Sequence, residues 1–338
     1  MISGDEQART GTSRPARPWL LADIGGTNAR FGWLAPGSSA VAHVATLRGA
    51  DHAGPAEAAR AYLDNLARQL GGDYTPPRAG AFAVATAVGG DQIAFTNSGW
   101  SFSRRQTQAG LGLDELLMLN DFEALALSLP RLSAAQLRPH GAMPQARGTL
   151  AVVGPGTGLG VAGLVQTPHG WVALAGEGGH ATLCASDDFE LALLAAVRRG
   201  HVHVSAERLL SGIGLPALHG GVAAVLGVPA EPLAAELIVE RGLAGSDPVC
   251  SRSLDAFCAL LGGFCGNVAL TLGARGGLYI GGGIVPRLGE RFFQSNFRER
   301  FEAKGRFQAY LQAVPTALIT DTLAALTGAA QALEQHGA

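Results

Sequence analysis

The sequence is poor in charged residues and in cysteine, and both shortages narrow the class of protein. Only 15% of its 338 residues are Asp, Glu, Lys or Arg, the formal net charge is −2, and no basic cluster appears. This composition argues against a nucleic-acid-binding protein, which needs a concentrated positive surface. The four cysteines form no C-x-x-C pair, so no zinc site is indicated, and free thiols fit a reducing cytoplasm.

Long apolar runs and several nucleotide-binding motifs are also missing. The uncharged stretch 150–165 contains five glycines and a proline, so it is too short and too broken to cross a bilayer. Residues 1–18 are polar and lack the apolar centre of a signal peptide, so we expect a tail. There is no P-loop motif. The G-x-G-x-x-G at 158–163 precedes β-like residues instead of a helix, which argues against a Rossmann fold.

Glycine is what the chain has in quantity, with 48 residues, beside 47% hydrophobic residues. At this length one small core is insufficient, and we expect two lobes. Short apolar runs broken by turns predict strands, and apolar residues at helical spacing predict helices. The strands are expected at 19–22, 29–34, 80–85, 93–95, 116–119, 150–153, 161–165 and 277–280, and the helices at 59–70, 122–129, 188–199, 253–272 and 323–333. Together they predict mixed α/β sheets covered by helices.

Two glycine turns, each between two predicted strands, are candidates for binding phosphate. The first is Asp23-Ile24-Gly25-Gly26-Thr27-Asn28, and the second is Gly154-Pro155-Gly156-Thr157-Gly158. Glycines leave backbone N–H groups accessible to an anion, and the Asp23 carboxylate suits a hydrated magnesium ion. A third turn, 281–283, ends another apolar strand. Ordinary β-hairpins and structural turns are the alternative.

Four acidic or basic side chains stand where a ligand could reach them. Asp121 follows Asn120 where a strand ends and a helix begins, a position that suits either a ligand site or a helix N-cap. Glu177 and His180 lie among glycines in a predicted loop. The alternative is that both are exposed surface residues that bind no ligand. Glu207 belongs to Ser205-Ala206-Glu207-Arg208, which is predicted to open a helix capped by Ser205.

Taken together and in order, these segments resemble the bacterial glucokinases of the proteobacterial type. The resemblance runs from about residue 19 to the C-terminus. It is carried by 21–30 (LADIGGTNAR), 119–122 (LNDF), 154–160 (GPGTGLG), 177–180 (EGGH), 205–208 (SAER), 281–287 (GGGIVPR) and 304–307 (KGRF).

The resemblance implies an actin-like (ribonuclease H-like) hexokinase fold, with two α/β lobes of mixed sheets and an interlobe cleft. It places a small domain at 19–131 plus 321–338 and a large domain at 132–320, after a disordered tail at 1–18. It also implies a cytoplasmic, homodimeric enzyme that phosphorylates D-glucose at its 6-hydroxyl with ATP and Mg²⁺. No nucleic acid or membrane partner is expected.

The residue roles that the resemblance implies fall into three groups. Asp121 is the catalytic base. The sugar-binding residues are Asn120, Asp121, Glu177, His180, Glu207 and, by analogy with distant hexokinases, Asn97. The ATP-binding residues are Ala22, Asp23, Ile24, Gly25, Gly26, Thr27, Gly156, Thr157, Gly158, Gly281 and Gly282, and Asp23 is also expected to hold Mg²⁺ through water.

The chain departs from related patterns at two places, and two other functions stay open. Ala87 stands where the family commonly has proline, and no Cys-rich zinc motif follows His180 as it does in ROK sugar kinases. The alternatives are a kinase for another hexose and a sugar-sensing regulator without catalysis. Such regulators usually carry a DNA-binding helical module, for which the acidic net charge and short polar tail leave no room.

Overall fold

The computed structural model describes residues 17–95 and 99–337, and within them the chain alternates between strands and helices. The strands are Trp19–Ile24 (β1), Asn28–Leu34 (β2), Ala42–Arg48 (β3), Ala79–Val84 (β4), Gln92–Ala94 (β5), Ser101–Ser103 (β6), Glu115–Asn120 (β7), Leu137–His140 (β8), Thr149–Pro155 (β9), Leu159–Thr167 (β10), Gly170–Gly176 (β11), Gly277–Ile280 (β12) and Thr316–Ile319 (β13). The helices are Pro55–Leu70 (α1), Arg104–Leu111 (α2), Asp121–Ser128 (α3), Asp188–Arg198 (α4), Leu215–Leu226 (α5), Ala235–Ala244 (α6), Pro248–Leu272 (α7), Ile284–Leu288 (α8), Glu290–Gln294 (α9), Phe297–Glu302 (α10), Gln308–Gln312 (α11) and Ala324–His336 (α12).

The chain folds as two compact units. The first unit contains the described residues up to Ala124 together with those from Ala325, and the second runs from Leu125 to Ala324. The second unit is therefore inserted into the sequence of the first. The expected boundaries, after residues 131 and 320, lie a few positions away from these.

A five-stranded sheet with the order β3-β2-β1-β4-β7 forms the centre of the first unit. β1 is antiparallel to β2 and parallel to β4, and β4 is parallel to β7. The register aligns Ile24 with Val84 and Val84 with Asn120. The carboxyl ends of the three parallel strands therefore share one edge, which is where ligands bind in open α/β sheets. Phe31, Tyr62 and Phe82 pack into one buried aromatic group beneath this sheet.

The second unit contains a six-stranded sheet with the order β11-β10-β9-β12-β13-β8. β9 and β10 are antiparallel and joined by the 156–158 turn, which repeats the arrangement of β1 and β2. β12 is parallel to both β9 and β13. The carboxyl ends of β9 and β12 therefore also meet at one edge of this sheet.

Helix α7 forms much of the core of the second unit. It begins after Asp247, whose carboxylate accepts hydrogen bonds from two backbone N–H groups, and it ends at Gly273 with φ of 65°. Its length and composition would allow it to cross a membrane, but 72% of its most apolar stretch is buried inside the protein. Cys258 and Cys265 are fully buried on it, and burial raises the pKa of the Cys258 thiol to about 11.

The strands and helices predicted from sequence are found, but one expectation is wrong and further elements were not predicted, among them β8, β11, β13, α5 and α6. The expectation that Ser205 opens a helix is wrong, because 205–210 form a bridge and turns and the next helix, α5, begins at Leu215. Ser205 Oγ does accept a hydrogen bond from Arg208 N–H, but the following backbone is held by the 177–181 segment. Helix α2 was not predicted, although Ser103 caps its start and Gly112 ends it.

Candidate active site

The turn between β1 and β2 presents unused backbone donors. Gly25 N–H donates to the Asn28 carbonyl at 2.9 Å, and Gly49 N–H donates to the Thr27 carbonyl at 2.8 Å, so the turn is held from both sides. Gly26 and Thr27 are exposed, and their N–H groups have no hydrogen-bond acceptor among the described residues. Such outward-facing donors suit a phosphate oxygen.

Asp23 lies at the base of this turn and faces Arg30 across the β1–β2 ladder. Their closest side-chain atoms, Asp23 Oδ2 and Arg30 Nη1, are 3.7 Å apart, and both side chains are about one-third exposed (29% and 31%). Burial raises the pKa of the Asp23 carboxyl, and the Arg30 guanidinium opposes that shift. Within the described residues no three His, Cys, Asp or Glu side chains gather around one point. A single partly buried carboxylate beside exposed backbone N–H groups is a donor set that suits a hydrated Mg²⁺ bound through one carboxylate and substrate phosphates.

The start of α3 is capped by Asn120 and Glu123 more completely than by Asp121. Asn120 Oδ1 accepts hydrogen bonds from Phe122 N–H at 2.9 Å and Glu123 N–H at 3.4 Å, while Asn120 N–H donates to Glu123 Oε2 at 3.3 Å. This reciprocal pair is a capping box with Asn at the cap. Asn120 Nδ2 also donates to the Thr86 carbonyl at 3.3 Å, which ties the turn to the end of β4.

Asp121 is the first residue of α3, and its carboxylate is partly buried at the shared strand edge. Burial raises its pKa to about 6, with a further contribution from the nearby Asp23 carboxylate. Hydrogen bonds from Phe122 N–H, its own N–H and the Asn120 side chain act in the opposite direction. At pH 7 most molecules carry the ionised form. A carboxylate with its pKa just below neutrality is suited to accept a proton.

Three glycine-rich segments of the second unit meet around the β9–β10 turn. Gly156 N–H donates to the Gly158 carbonyl at 2.8 Å within the turn, and Gly212 N–H donates to the Gly156 carbonyl at 2.8 Å from outside it. Gly282 has φ of 75°, and a Cβ there would collide with the Pro155 carbonyl oxygen. Only glycine fits this last position, where the 281–283 turn touches the end of β9.

Glu177, His180 and Glu207 also lie together in the second unit. His180 Nε2 is 3.8 Å from Glu207 Oε1 and 4.0 Å from Glu177 Oε2. The side chain of Glu207 is the least exposed of the three, at 33%, against 60% for His180 and 73% for Glu177. Glu207 N–H donates to the Gly179 carbonyl at 2.8 Å, so the two loops are joined through their backbones. The cluster offers carboxylate acceptors and an imidazole to a polyhydroxylated ligand.

The structure therefore places the sequence-predicted residues in groups, one group in each unit. Asp23, the 25–27 turn, Asn120 and Asp121 share the strand edge of the first unit, and the remaining described candidates lie in the second. Asn97 falls outside the described residues. Sequence reasoning missed Glu123, Arg30 and Gly212 as supporting residues. The Asn-x-x-Glu spacing signals Glu123, whereas Arg30 and Gly212 become visible only through pairing across the fold.

Comparison with known proteins shows which family the chain is similar to. The Glucokinase family model matches residues 20–336. A curated glucokinase from Aromatoleum aromaticum is 50% identical over 318 residues, covering 94% of this chain and 95% of that protein. One from Paramagnetospirillum magneticum is 49% identical over 313 residues, covering 92% and 96%. The crystal structure of a glucokinase from an Antarctic psychrotroph is 37% identical with a TM-score of 0.87, covering 96% of this chain and all of that one.

The two units have the fold of the hexokinase-like sugar kinases. Each unit has a glycine turn suited to phosphate, and acidic side chains lie beside these turns. Within that class the chain belongs to the glucokinase family. It is accordingly an enzyme that transfers a phosphoryl group from ATP to glucose.

Proposed function

We propose that Asp121 is the general base of this reaction and removes the proton from the 6-hydroxyl of D-glucose during in-line attack on the γ-phosphate of ATP. The carrying observation is the state of its carboxylate. The carboxylate is partly buried, its pKa is raised to about 6, and the capping of α3 is completed by Asn120 and Glu123. A residue needed only as a cap would not require this environment.

The reaction requires the base to accept the proton of the sugar 6-hydroxyl. A sugar hydroxymethyl group is a poor nucleophile until its proton is accepted as the bond to phosphorus forms, and a positioned base contributes ~10²–10⁴-fold to the rate. Above pH 6 the Asp121 carboxylate is mainly ionised and can take that proton. The activity should therefore decline as the pH falls through about 6.

Glu177, His180 and Glu207, with Asn120 and Asp121, are proposed to hold the sugar hydroxyls. Hydrogen bonds to charged acceptors contribute roughly 1.5–3 kcal/mol each, so two carboxylates can fix the orientation of the ring. A sugar that lacks the matching hydroxyl would leave a carboxylate unpaired, and rejection at such sites can approach ~10⁴–10⁵-fold. His180 Nε2 is near both carboxylates, and the imidazole can donate a hydrogen bond to another hydroxyl of the sugar.

The phosphates of ATP are proposed to bind the backbone of Gly25, Gly26 and Thr27 and the 156–158 turn, with 281–282 beside the adenosine. The N–H groups of Gly26 and Thr27, which have no acceptor among the residues that the structure describes, support this assignment. Mg²⁺, when bound near Asp23 through water, would offset the charge of the transferring phosphoryl group. Asp23 would hold the hydrated ion, and the Arg30 guanidinium opposes the rise that burial causes in the pKa of that carboxyl.

A coupled assay with ATP across a panel of hexoses tests this function. We expect glucose to be the best substrate; a higher kcat/KM for mannose or N-acetylglucosamine would instead indicate a kinase for that sugar. Asp121→Asn and Asp121→Ala should lose turnover by at least ~10²-fold while glucose binding by calorimetry persists. Turnover within tenfold of wild type would show that Asp121 is not the general base and has only a structural role. Asp114→Asn, an exposed partner of Arg78, is the matched control.

The homodimeric state and the cytoplasmic location are also proposed from the family resemblance. Gel filtration with light scattering measures the first directly, and cell fractionation measures the second.

A further inference from the structure

The carboxylate of Glu207 has a different neighbour at each oxygen. Oε2 accepts a hydrogen bond from Leu159 N–H at 2.8 Å, at the exit of the 156–158 turn. Oε1 faces His180 Nε2 at 3.8 Å, on the sugar side. One side chain thus touches both the backbone proposed to bind ATP phosphate and the cluster proposed to bind the sugar.

The segment that carries Glu207 holds the turn at further points. Gly212 N–H donates to the Gly156 carbonyl at 2.8 Å, and Ile213 N–H donates to the Thr157 carbonyl at 3.4 Å. Ser211 Oγ donates to the Glu207 carbonyl at 2.7 Å and accepts from Gly214 N–H at 2.9 Å, which stiffens this segment locally. Gly212 and Ile213 hold the turn through their backbone N–H groups, whereas Glu207 contacts Leu159 N–H through a side chain, which has rotatable bonds.

Gly158 shows how closely the carboxylate is seated. A Cβ at this position would lie 2.5 Å from Glu207 Oε2, whereas a Cβ at Gly156 would meet nothing within 4 Å. Neither glycine has a positive φ, so alanine is compatible with the backbone at both positions. Alanine at position 158 would therefore displace the Glu207 carboxylate, whereas alanine at position 156 would leave it in place.

We propose that Glu207 is a positioning residue for the phosphate-binding turn as well as a sugar ligand, so that sugar and nucleotide binding are coupled through its carboxylate. This inference rests on the proposed function of the same site. A sugar hydroxyl on Oε1 restricts the rotation of a side chain that is one-third exposed. It thereby fixes Oε2 on Leu159 N–H and orders the turn for phosphate. Thermodynamic linkage makes the effect reciprocal, with couplings commonly of ~5–150-fold.

The first experiment measures the dissociation constant of a non-hydrolysable ATP analogue with and without saturating glucose. In the wild type, glucose should tighten the analogue by at least ~5-fold. In Glu207→Ala the ratio should fall to near one, and the analogue should bind more weakly even without sugar. Glu207→Gln keeps an oxygen that can accept from Leu159 N–H, so it should restore nucleotide affinity while glucose affinity stays low. Glu177→Gln, which removes a charge from the sugar side alone, should weaken glucose but preserve the ratio.

The second experiment uses the glycines, with glucose binding measured by calorimetry in the absence of nucleotide. Gly158→Ala should displace the Glu207 carboxylate and weaken glucose binding by ~10-fold or more, although residue 158 lies in the phosphate turn. Gly156→Ala, in the same turn, should bind glucose within twofold of wild type. Thermal unfolding of both variants establishes that each is folded.

The possible outcomes distinguish a failure of the proposed function from a failure of the proposed coupling through Glu207. Wild-type protein that does not bind glucose would overturn the proposed function. Wild-type protein that binds glucose, with Gly158→Ala binding it equally well, would overturn the coupling alone. Loss of glucose binding in both glycine variants would also overturn it, because Gly156 does not reach Glu207.

Discussion

The substitution Asp121→Asn should make the protein more stable at pH 8 while it removes the proposed base. The carboxylate is held in an environment that disfavours its charge, because burial and the neighbouring Asp23 raise its pKa to about 6. An amide of nearly the same shape has no charge to desolvate, and it leaves the Asn120–Glu123 capping box intact. Residues kept for chemistry commonly lower stability in this way.

The magnitude follows from the pKa shift. An increase from the ordinary value of 3.8 to about 6 corresponds to about 3 kcal/mol at 1.36 kcal/mol per pKa unit, and partial exposure makes this an upper limit. The folded state keeps its proton up to about pH 6, whereas the unfolded state loses it near pH 4. The wild type therefore loses stability between pH 4 and pH 6, and the full cost is present above pH 7.

The assay is thermal unfolding of both proteins at pH 8, 7, 6 and 5. The variant should unfold a few degrees higher at pH 8, and its advantage should shrink as the pH falls through 6. Asp114→Asn should show no such pH-dependent gain. An equal advantage at pH 5 and pH 8, or none at pH 8, would refute the assignment of a destabilised charge to Asp121.

Two further substitutions test the support around the site. Asn120→Ala should cost about 1 kcal/mol of stability through the lost cap and also lower kcat, whereas Ser103→Ala, which removes the cap of α2, should cost a similar amount with kcat unchanged. Equal kcat for both would show that Asn120 does not position Asp121. Gly282→Ala should lower stability by more than about 1 kcal/mol and raise the KM for ATP, because of its positive φ and the Pro155 carbonyl, whereas Gly283→Ala has open space. Similar effects from both would contradict this reasoning.

Local signals in the sequence were enough to predict the strand–turn–strand units. The first turn and the β9–β10 turn each combine glycines with flanking apolar strands, and in both cases the structure pairs those strands antiparallel. The end of α1 at Gly71 and the end of β12 at 280 were likewise marked by glycine. Short-range chemistry decides such features, so one sequence suffices.

Features that depend on distant contacts could not be predicted in the same way. Ser205 makes the hydrogen bond of a helix cap, yet Ala206 N–H and Glu207 N–H donate to the Ala181 and Gly179 carbonyls instead of starting a helix. Arg30 faces Asp23 because of the register of β1 and β2. The carbonyl groups that hold residues 206 and 207 are distant in sequence, so no local pattern indicates them. The pairing of Asp23 with Arg30 could be predicted only if the register of the two strands were known.

The position of α12 has a consequence for the order in which the protein can fold. The helix belongs to the first unit, and its fully buried Leu326 side chain lies against Gly32 of β2. The second unit is one continuous stretch and can complete its core earlier during synthesis. The first unit contains segments from both sides of the second unit, so it gains this helix only after the second unit has been synthesised. Its folding is therefore completed after that of the second unit can be, which differs from the usual N-terminal-first order.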